Sequence, residues 1–296
     1  MKKGFCIVFL CCVVSVNAME QSITGWDAQL SAKNDKLFES LVLSDLHDSK
    51  IDFVNKFVLN FCSGSGYNSN LIVQKVGKDG VVMGVDARRN MIEWAKDTYK
   101  HQTNLSFHQY SIDNFEPSKN SLKFNVATLF NSFDLLDKKL EVCKKIYNCL
   151  GPQGDFLVNV GPGQEPLDIQ VSREMIQSVP LMGSLLVNFG LASVFQASYS
   201  TQQEYKNILE QAGFEIVSFV IKERRLVFQT REDFAAIKRP IAQSRPIVST
   251  ISQLTFEYAF NKFIDQFLTK LQKNEKGHLV YVFNEILIHA RKPEKK

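Results

Sequence analysis

The sequence has few of the residues that metal sites and disulfide scaffolds require. It contains six cysteines and five histidines in 296 residues, and neither type is clustered at metal-ligand spacing. Three cysteines lie in the first 18 residues, and the other three are Cys62, Cys143 and Cys149. Three cysteines are an odd number, and they contain no C-x-x-C pair, so they do not indicate a disulfide framework. We interpret these three as small buried hydrophobic residues. We therefore predict no metal site.

The sequence also lacks a strong charge of either sign. Its net charge is +4, from 35 basic and 31 acidic residues, which is too small and too dispersed to indicate a nucleic-acid partner. We expect a small-molecule substrate instead, and nothing in the sequence indicates the oligomeric state. Hydrophobic residues make up 45% of the chain, which is ordinary for a globular protein with a core of normal size.

Residues 1–18, MKKGFCIVFLCCVVSVNA, differ from all that follows. Two lysines, an apolar stretch over 5–16 and a small residue at the end form the pattern of a secretory signal peptide. The stretch is too short to span a bilayer as a helix, so we expect no membrane span after cleavage. If this leader is used, the protein is exported, either secreted or periplasmic. The alternatives are a cytoplasmic protein whose translation begins at Met19, or an uncleaved anchor.

Short apolar runs alternate with helical patterns in the middle of the chain. Five runs are interpreted as buried strands, at 56–61, 80–86, 105–110, 123–130 and 154–161. Apolar residues at helical spacing lie between them, at 67–77, 87–100 and 137–151. Strands that are nearly all apolar and alternate with helices are typical of a parallel sheet covered on both faces. We therefore predict a doubly wound α/β fold, whose ligands bind beyond the carboxyl ends of the strands.

The rest of the chain is predicted to complete the same sheet. Residues 162–201 are interpreted as helical insertions over the site, and two amphipathic helices follow, at 201–214 and 254–272. Strands at 214–223 and 278–292 bring the mostly parallel sheet to seven strands. These two strands run antiparallel only if they pair with each other as a long-range hairpin.

The predicted organisation is a single domain built in three parts after the leader. Residues 19–55 form an N-terminal helical cap, and residues 56–161 form the cofactor-binding α/β core. Residues 162–296 add the insertions and the last strands to that core.

A turn of small residues follows the first predicted strand. In FVLNFCSGSGYNS, Gly64 and Gly66 allow backbone N–H groups to approach a ligand, because glycine has no Cβ. Asp86 ends the second strand, 22 residues after Gly64, close to the spacing at which an acid binds a ribose diol. The third glycine of an NAD pyrophosphate site is missing, so a ligand without a pyrophosphate fits better. A tight turn without a ligand, and Asp86 as a helix N-cap, are the plainer alternatives.

These segments resemble those of class I S-adenosylmethionine-dependent methyltransferases, over residues 24–292. VLNFCSGSG is similar to the family's V-L-D-x-G-C-G-x-G, VMGVDARRNMIEWAKD to its second motif, and YNCLGPQGDFLVNV to its L-x-P-G-G element. Within the family, GWDAQL, ILEQAGF and VFQTREDFAAIKRPI resemble the trans-aconitate and juvenile hormone acid methyltransferases. Those enzymes methylate carboxylates of small acids.

The resemblance implies S-adenosylmethionine as the cofactor and assigns residues to its site. The implied cofactor-binding residues are Asn60, Cys62, Gly64, Ser65, Gly66, Asp86, Ala87, Ser111 and Ile112. Trp26 either lines the substrate pocket or packs against the N-terminal helix. Four arginines are candidates for gripping a substrate carboxylate, although surface positions are the plainer interpretation: Arg224, Arg225, Arg231 and Arg239.

The chain lacks several acids, and one glycine, that the family pattern has. Asn60 stands in place of the first motif's acid, Cys62 in place of its first glycine, and Ser111 in place of the acid beside the adenine. Asn125 replaces the acid that usually leads the fourth strand. Three hypotheses are open. The protein is a methyltransferase acting on a small-molecule carboxylate, or an exported, non-catalytic binding or effector protein with the same fold. The third alternative is an NAD-dependent oxidoreductase.

No catalytic residue is assigned under the first hypothesis. A carboxylate acceptor, with a pKa of about 4, is already ionised at neutral pH. Its methylation therefore needs proximity and orientation rather than a general base.

Overall fold

The computed structural model describes residues 27–111, 115, 123–161, 167–178, 200–243 and 252–294. The predicted leader, Trp26, Ile112 and most of the segment 162–201 lie outside the described residues.

The described chain alternates strands and helices as predicted up to residue 160. Two helices come first, α1 (Ala28–Leu37) and α2 (Glu39–Asp48). They are followed by β1 (Phe57–Phe61), α3 (Tyr67–Val76), β2 (Val81–Asp86), α4 (Arg89–Thr98), β3 (Leu105–Gln109), β4 (Phe124–Leu129), a 3₁₀ turn (Phe133–Leu135), α5 (Lys139–Cys149) and β5 (Leu150–Val160).

The second half adds helices and long antiparallel strands. In order these are α6 (Leu167–Ser178), α7 (Gln202–Gln211), β6 (Glu215–Phe228), α8 (Arg231–Gln243), α9 (Gln253–Leu268), β7 (Gln272–Lys273) and β8 (Leu279–Arg291). Helix α8 was not predicted from the sequence.

One mixed sheet contains all the described strands, in the order β3-β2-β1-β4-β5-β8-β6, with β7 beside β8. The five strands β1–β5 pair in parallel, and β8 runs antiparallel between β5 and β6. The predicted α/β fold is therefore confirmed, and the last two long strands do pair as a long-range hairpin. The sheet has one short strand, β7, beyond the seven predicted.

Alternate residues of each central strand enter different hydrophobic layers. Val58 packs with α2 and α3, whereas its neighbour Leu59 packs with α5 and α7. The pairs Val126–Ala127 and Leu157–Val158 divide in the same way. Because successive side chains of a strand point to opposite faces, this pattern places helices on both sides of the sheet.

The hairpin of β6 and β8 is longer than predicted because its outer half has a core of its own. Strand β6 continues five residues past the predicted end at 223, to Phe228. Leu226 and Phe228 are buried there with aromatic side chains of α8 and α9, including Phe234, Phe263 and Phe267. This second core lies beyond the carboxyl ends of the parallel strands and includes side chains of α6.

Candidate functional site

The turn between β1 and α3 has left-handed backbone at three positions. The φ angles are 52° at Cys62, 53° at Gly64 and 86° at Gly66. A Cβ added at Gly64 would meet no atom within 4 Å, whereas one added at Gly66 would lie 2.6 Å from the ring of Phe107. Gly66 is therefore required by packing and backbone angle, and Gly64 has open space beside its Cα. The expected N–H groups are not free for a ligand, because that of Gly64 donates to Asp86 and that of Gly66 donates to the carbonyl of Ser63.

Cys62 occupies a backbone conformation that usually belongs to glycine. A left-handed φ costs a residue with a Cβ roughly 1–2 kcal/mol, so the backbone conformation at this position would suit glycine better than cysteine. Burial, with a further contribution from the charge of Asp86, raises the pKa of the thiol to about 12. The side chain is neutral at physiological pH, which fits a packing residue better than a nucleophile.

Asp86 lies directly opposite the turn, at the carboxyl end of β2. Its Oδ2 accepts a hydrogen bond of 2.9 Å from the backbone N–H of Gly64. Its Oδ1 accepts one of 3.0 Å from the backbone N–H of Arg88, just before α4. The acid thus joins the glycine turn to the segment that leads into the next helix. Asp86 is not the N-cap of that helix, because the N-cap is Arg88 and no side chain caps it.

The side chain of Arg88 also covers this carboxylate. Its Nε donates to Oδ1 at 3.0 Å and its Nη2 to Oδ2 at 3.1 Å. The Asp86 side chain is 3% exposed and that of Arg88 18% exposed. A ribose diol that binds Asp86 must therefore displace the guanidinium, a feature that the sequence motif did not reveal.

Asn60 and Ser65 use their side chains inside the protein. The Asn60 amide donates to Ser69 Oγ at 2.8 Å and accepts from Thr128 Oγ1 at 3.0 Å, with the residue 2% exposed. Ser65 Oγ donates to Asp35 Oδ2 at 2.6 Å and so ties α1 to the turn. Both side chains stabilise the turn through hydrogen bonds inside the protein, whereas the space beside Gly64 is open.

Asp35 is the titratable group that α1 brings to the turn. Burial raises its pKa to about 6, against the opposing effects of the Ser65 hydrogen bond and the charge of Arg88. Next to the turn, the buried hydroxyl of Ser63 has no hydrogen-bond partner among the described residues.

Aromatic side chains border the site at the end of β3. Tyr110 is 46% exposed, and its backbone N–H donates to the carbonyl of Asp86 at 3.0 Å. Its ring lies 5.5 Å from that of Phe115, edge to face. Ala87 is exposed, and Ser111 is half-buried where the chain leaves this edge. Sequence reasoning missed Tyr110, although an aromatic residue directly after the third strand is the signal that would have found it.

The residues around the turn can be compared with what a nucleoside-containing cofactor requires. Gly64 provides open space, Asp86 an acceptor for a diol and Tyr110 a flat apolar surface, all at one edge of the sheet. They fit such a group, provided that the Arg88 side chain withdraws from Asp86.

A buried polar network lies at the ends of β4 and β5. Asn131, with a φ of 55°, donates its N–H to Asn159 Oδ1 at 2.7 Å. The Asn159 amide donates back to Asn131 at 3.1 Å and to Asp45 Oδ2 at 3.3 Å. Sequence reasoning missed this network, which joins α2 to the carboxyl ends of β4 and β5.

Two cations of β6 complete the network. Arg224 donates to Asp45 and, at 2.7 Å, to Glu285 of β8. Lys222 donates to Asp45 at 3.2 Å and to Asp48 at 2.7 Å. Burial raises the pKa of Asp45, and burial together with the charge of Asp45 raises that of Glu285 to about 7.

The other three candidate arginines are also paired with acids. Their partners are Glu223 for Arg225, Asp265 for Arg231 and Glu257 for Arg239. None of the four guanidinium groups is a ready carboxylate receptor without first releasing an acid of the protein.

The described residues contain neither a group of three potential metal ligands nor a helix that could cross a bilayer.

Comparison with known proteins was consistent with this geometry. The family described as "Methyltransferase domain" matches residues 32–219. An arsenite methyltransferase of Halobacterium salinarum is 25% identical over 206 residues, which is 69% of this chain but 46% of the relative. The chain thus spans about half the length of that curated relative.

Solved structures share the fold at low identity. Phosphoethanolamine N-methyltransferase 2 of Haemonchus contortus, in complex with S-adenosyl-L-methionine, has a TM-score of 0.57 and 14% identity, covering 96% of this chain and 61% of that one. The YcgJ protein of Bacillus subtilis has a TM-score of 0.52 and 14% identity, with coverages of 88% and 100%. The [4+2]-cyclase SpnF has a TM-score of 0.54 and 12% identity, with coverages of 86% and 82%.

Proposed function

Because the chain belongs to the methyltransferase domain family, with S-adenosylmethionine as its cofactor, we propose that it transfers a methyl group to a small molecule. The observation that carries this proposal is the open space at Gly64 beside the Asp86 carboxylate, at the carboxyl edge of the sheet. When bound, the cofactor supplies a methyl group already activated on a sulfonium.

The chain's own contribution to cofactor binding begins at Asp86. Its two oxygens can accept both hydroxyls of a ribose once the Arg88 side chain has moved away. Gly64 N–H, Ser65 and Asn60 hold the turn in place through their bonds to Asp86, Asp35 and Ser69. Tyr110 offers the exposed ring beside that carboxylate.

We propose a small-molecule carboxylate as the methyl acceptor. Near the ends of β4 and β5, the described acids Asp45, Asp134 and Glu285 are all hydrogen-bonded within the protein. An acceptor that is already ionised does not need any of them as a base. Lys222 and Arg224 place positive charge at the same edge, and the acceptor would compete with Asp48 and Glu285 for it.

The arsenite chemistry of the curated relative receives no support from the described thiols. Arsenic(III) is thiophilic, and binding through sulfur needs accessible thiolates. Cys143 and Cys149 are fully buried on α5, and burial raises the pKa of each thiol to about 12. Cys62 is held neutral in the same way.

A second candidate function is ligand binding without catalysis. It is favoured by the guanidinium of Arg88 on the ribose-binding acid and by the replaced motif residues Asn60 and Cys62. The likeness to a cyclase also illustrates that this fold hosts other activities. If residues 1–18 act as a signal peptide, this protein would be exported. Cell fractionation tests that point, since cytosolic protein without any precursor would contradict export.

The central experiment is a titration with S-adenosylhomocysteine followed by thermal unfolding. A ligand at 100 times its Kd adds about 2.7 kcal/mol of stability, which corresponds to about 5–10 °C in Tm for a chain of this size. Asp86→Asn keeps the shape of the side chain and should weaken binding about tenfold or more, since it removes a charge-assisted acceptor. Asp97→Asn, on the exposed surface of α4, is the matched control.

Methyl transfer is then assayed with labelled cofactor and a panel of carboxylic acids and amines. Incorporation into acids supports the proposed acceptor, and incorporation into amines alone would contradict it. Binding without transfer to any compound would favour the non-catalytic function. No binding, or equal binding by the Asp86→Asn protein, would overturn the site itself.

A further inference from the structure

Strand β6 forms an open edge of the sheet. It has 14 residues and pairs on one side with β8, and no other strand of the described chain lies against it. Its outer half, from Ile221 to Phe228, pairs with the segment Leu279–Ile286. A long edge strand presents a row of backbone N–H and C=O groups to which another strand can bind.

The outer half of β6 has one buried face and one exposed face. Arg224, Leu226 and Phe228 are 6%, 6% and 2% exposed. On the opposite face, Ile221 and Val227 are 49% and 45% exposed. Large apolar side chains on an exposed edge strand are unusual in monomers, because they invite association.

Charges of opposite sign lie between these two apolar residues. Glu223 and Arg225 have side chains 57% and 69% exposed and contact each other at 2.8 Å. The exposed face therefore presents, in order, an apolar residue, an acid, a base and an apolar residue. Two copies of this face that run in opposite directions therefore match, because each apolar residue meets an apolar residue and each acid meets a base.

We propose that a second copy of this chain pairs with β6 as an antiparallel strand, around a two-fold axis at Arg224. In this register Ile221 lies opposite Val227 of the second copy, and Glu223 lies opposite Arg225 of the second copy. Directly opposite charges and apolar pairs stabilise antiparallel strands. A two-fold axis also makes every favourable pair occur twice.

Neighbouring registers are disfavoured by the same charges. Moving the axis to residue 223 places Glu223 opposite itself, and moving it to residue 225 places Arg225 opposite itself. Like charges directly opposite each other destabilise a strand pair. Arg224 does not raise this difficulty at the proposed axis, because its guanidinium points inward and is paired with Asp45 and Glu285.

The first test is the mass of the full-length protein in solution, by sedimentation equilibrium over a range of concentrations. The wild type should be a dimer, and the double variant I221K/V227K should be a monomer, because lysines on an exposed edge oppose pairing. Val54→Lys, at a residue 59% exposed outside β6, is the matched control and should remain dimeric. A monomeric wild type, or a dimer that the double variant leaves intact, would overturn the proposal.

The second test is charge reversal, which is specific to the register. E223R and R225E should each weaken the dimer at least tenfold, since each places like charges opposite each other at two positions. The combined variant E223R/R225E should restore the dimer. At concentrations low enough for each to be a monomer, all three proteins should unfold at similar denaturant concentrations, because the changed side chains are exposed. A combined variant as weak as the single ones would refute the register, whatever the result for cofactor binding.

Discussion

Arg88→Ala should tighten the binding of S-adenosylhomocysteine, because it removes the side chain that covers Asp86. Two guanidinium bonds, of 3.0 and 3.1 Å, must be broken before a ribose can use the carboxylate. Hydrogen bonds to charged groups contribute about 1.5–3 kcal/mol each, and solvation of the released guanidinium returns part of that sum. We therefore expect a net gain of about 1.5–3 kcal/mol, which is roughly a tenfold to hundredfold lower Kd.

The same substitution should lower the stability of the unliganded protein. Asp86 keeps its backbone donors from Gly64 and residue 88 but loses both charged side-chain donors of Arg88. The loss of hydrogen-bond partners by a carboxylate at this position costs about 1–3 kcal/mol. Affinity and stability should thus change in opposite directions, which a general loosening of the fold would not produce.

Isothermal titration calorimetry and urea unfolding measure the two effects. Arg89→Ala is the matched control, because Arg89 follows directly in the chain but is 79% exposed and pairs with Glu93. In this variant neither the free energy of ligand binding nor that of unfolding should change by more than about 0.5 kcal/mol. Equal or weaker binding by the Arg88→Ala protein would refute the reasoning and would indicate that Arg88 contacts the ligand or leaves Asp86 at no cost.

Three further predictions concern the turn and its contact with α1. Gly66→Ala should cost more than about 2 kcal/mol in urea unfolding, because its Cβ would overlap a buried ring at a φ of 86°. Gly64→Ala, at a φ of 53° in open space, should cost about 1 kcal/mol and mainly weaken ligand binding; equal stability of the two variants would contradict the assigned roles. Cys62→Gly should raise the free energy of unfolding by about 0.5–1 kcal/mol, since it relieves the left-handed strain; a loss would mean that packing of the thiol outweighs the backbone term. The raised pKa of Asp35, about 6 against 3.8, stabilises the fold fully below pH 3.8 and loses that effect as the pH rises through 6. The contribution of Asp35 to stability should fall by on the order of 3 kcal/mol across this range, and Asp35→Asn should lack that part of the pH dependence while keeping an acceptor for Ser65; a variant with the same pH profile as the wild type would show that Asp35 titrates normally.

The sequence by itself determined the layered architecture and which residues meet in the candidate site. Val58 and Leu59 alternate between two hydrophobic layers, and that alternation follows from the two-residue period of a strand. The glycine turn and Asp86 were also predictable, because the ends of adjacent parallel strands meet at one edge.

Tertiary structure alone decided how the site is occupied by the protein's own side chains. The Asp86 motif looks the same whether Arg88 faces solvent or folds back onto the carboxylate, because rotamers at one position depend on the space around it. Arg224 and Asp45 pair across 179 residues of sequence, and the length of β6 depends on the side chains of α8 and α9 that bury Leu226 and Phe228. Local periodicity carries no information about such distant partners, because it reports which face of an element is apolar and not what packs against it.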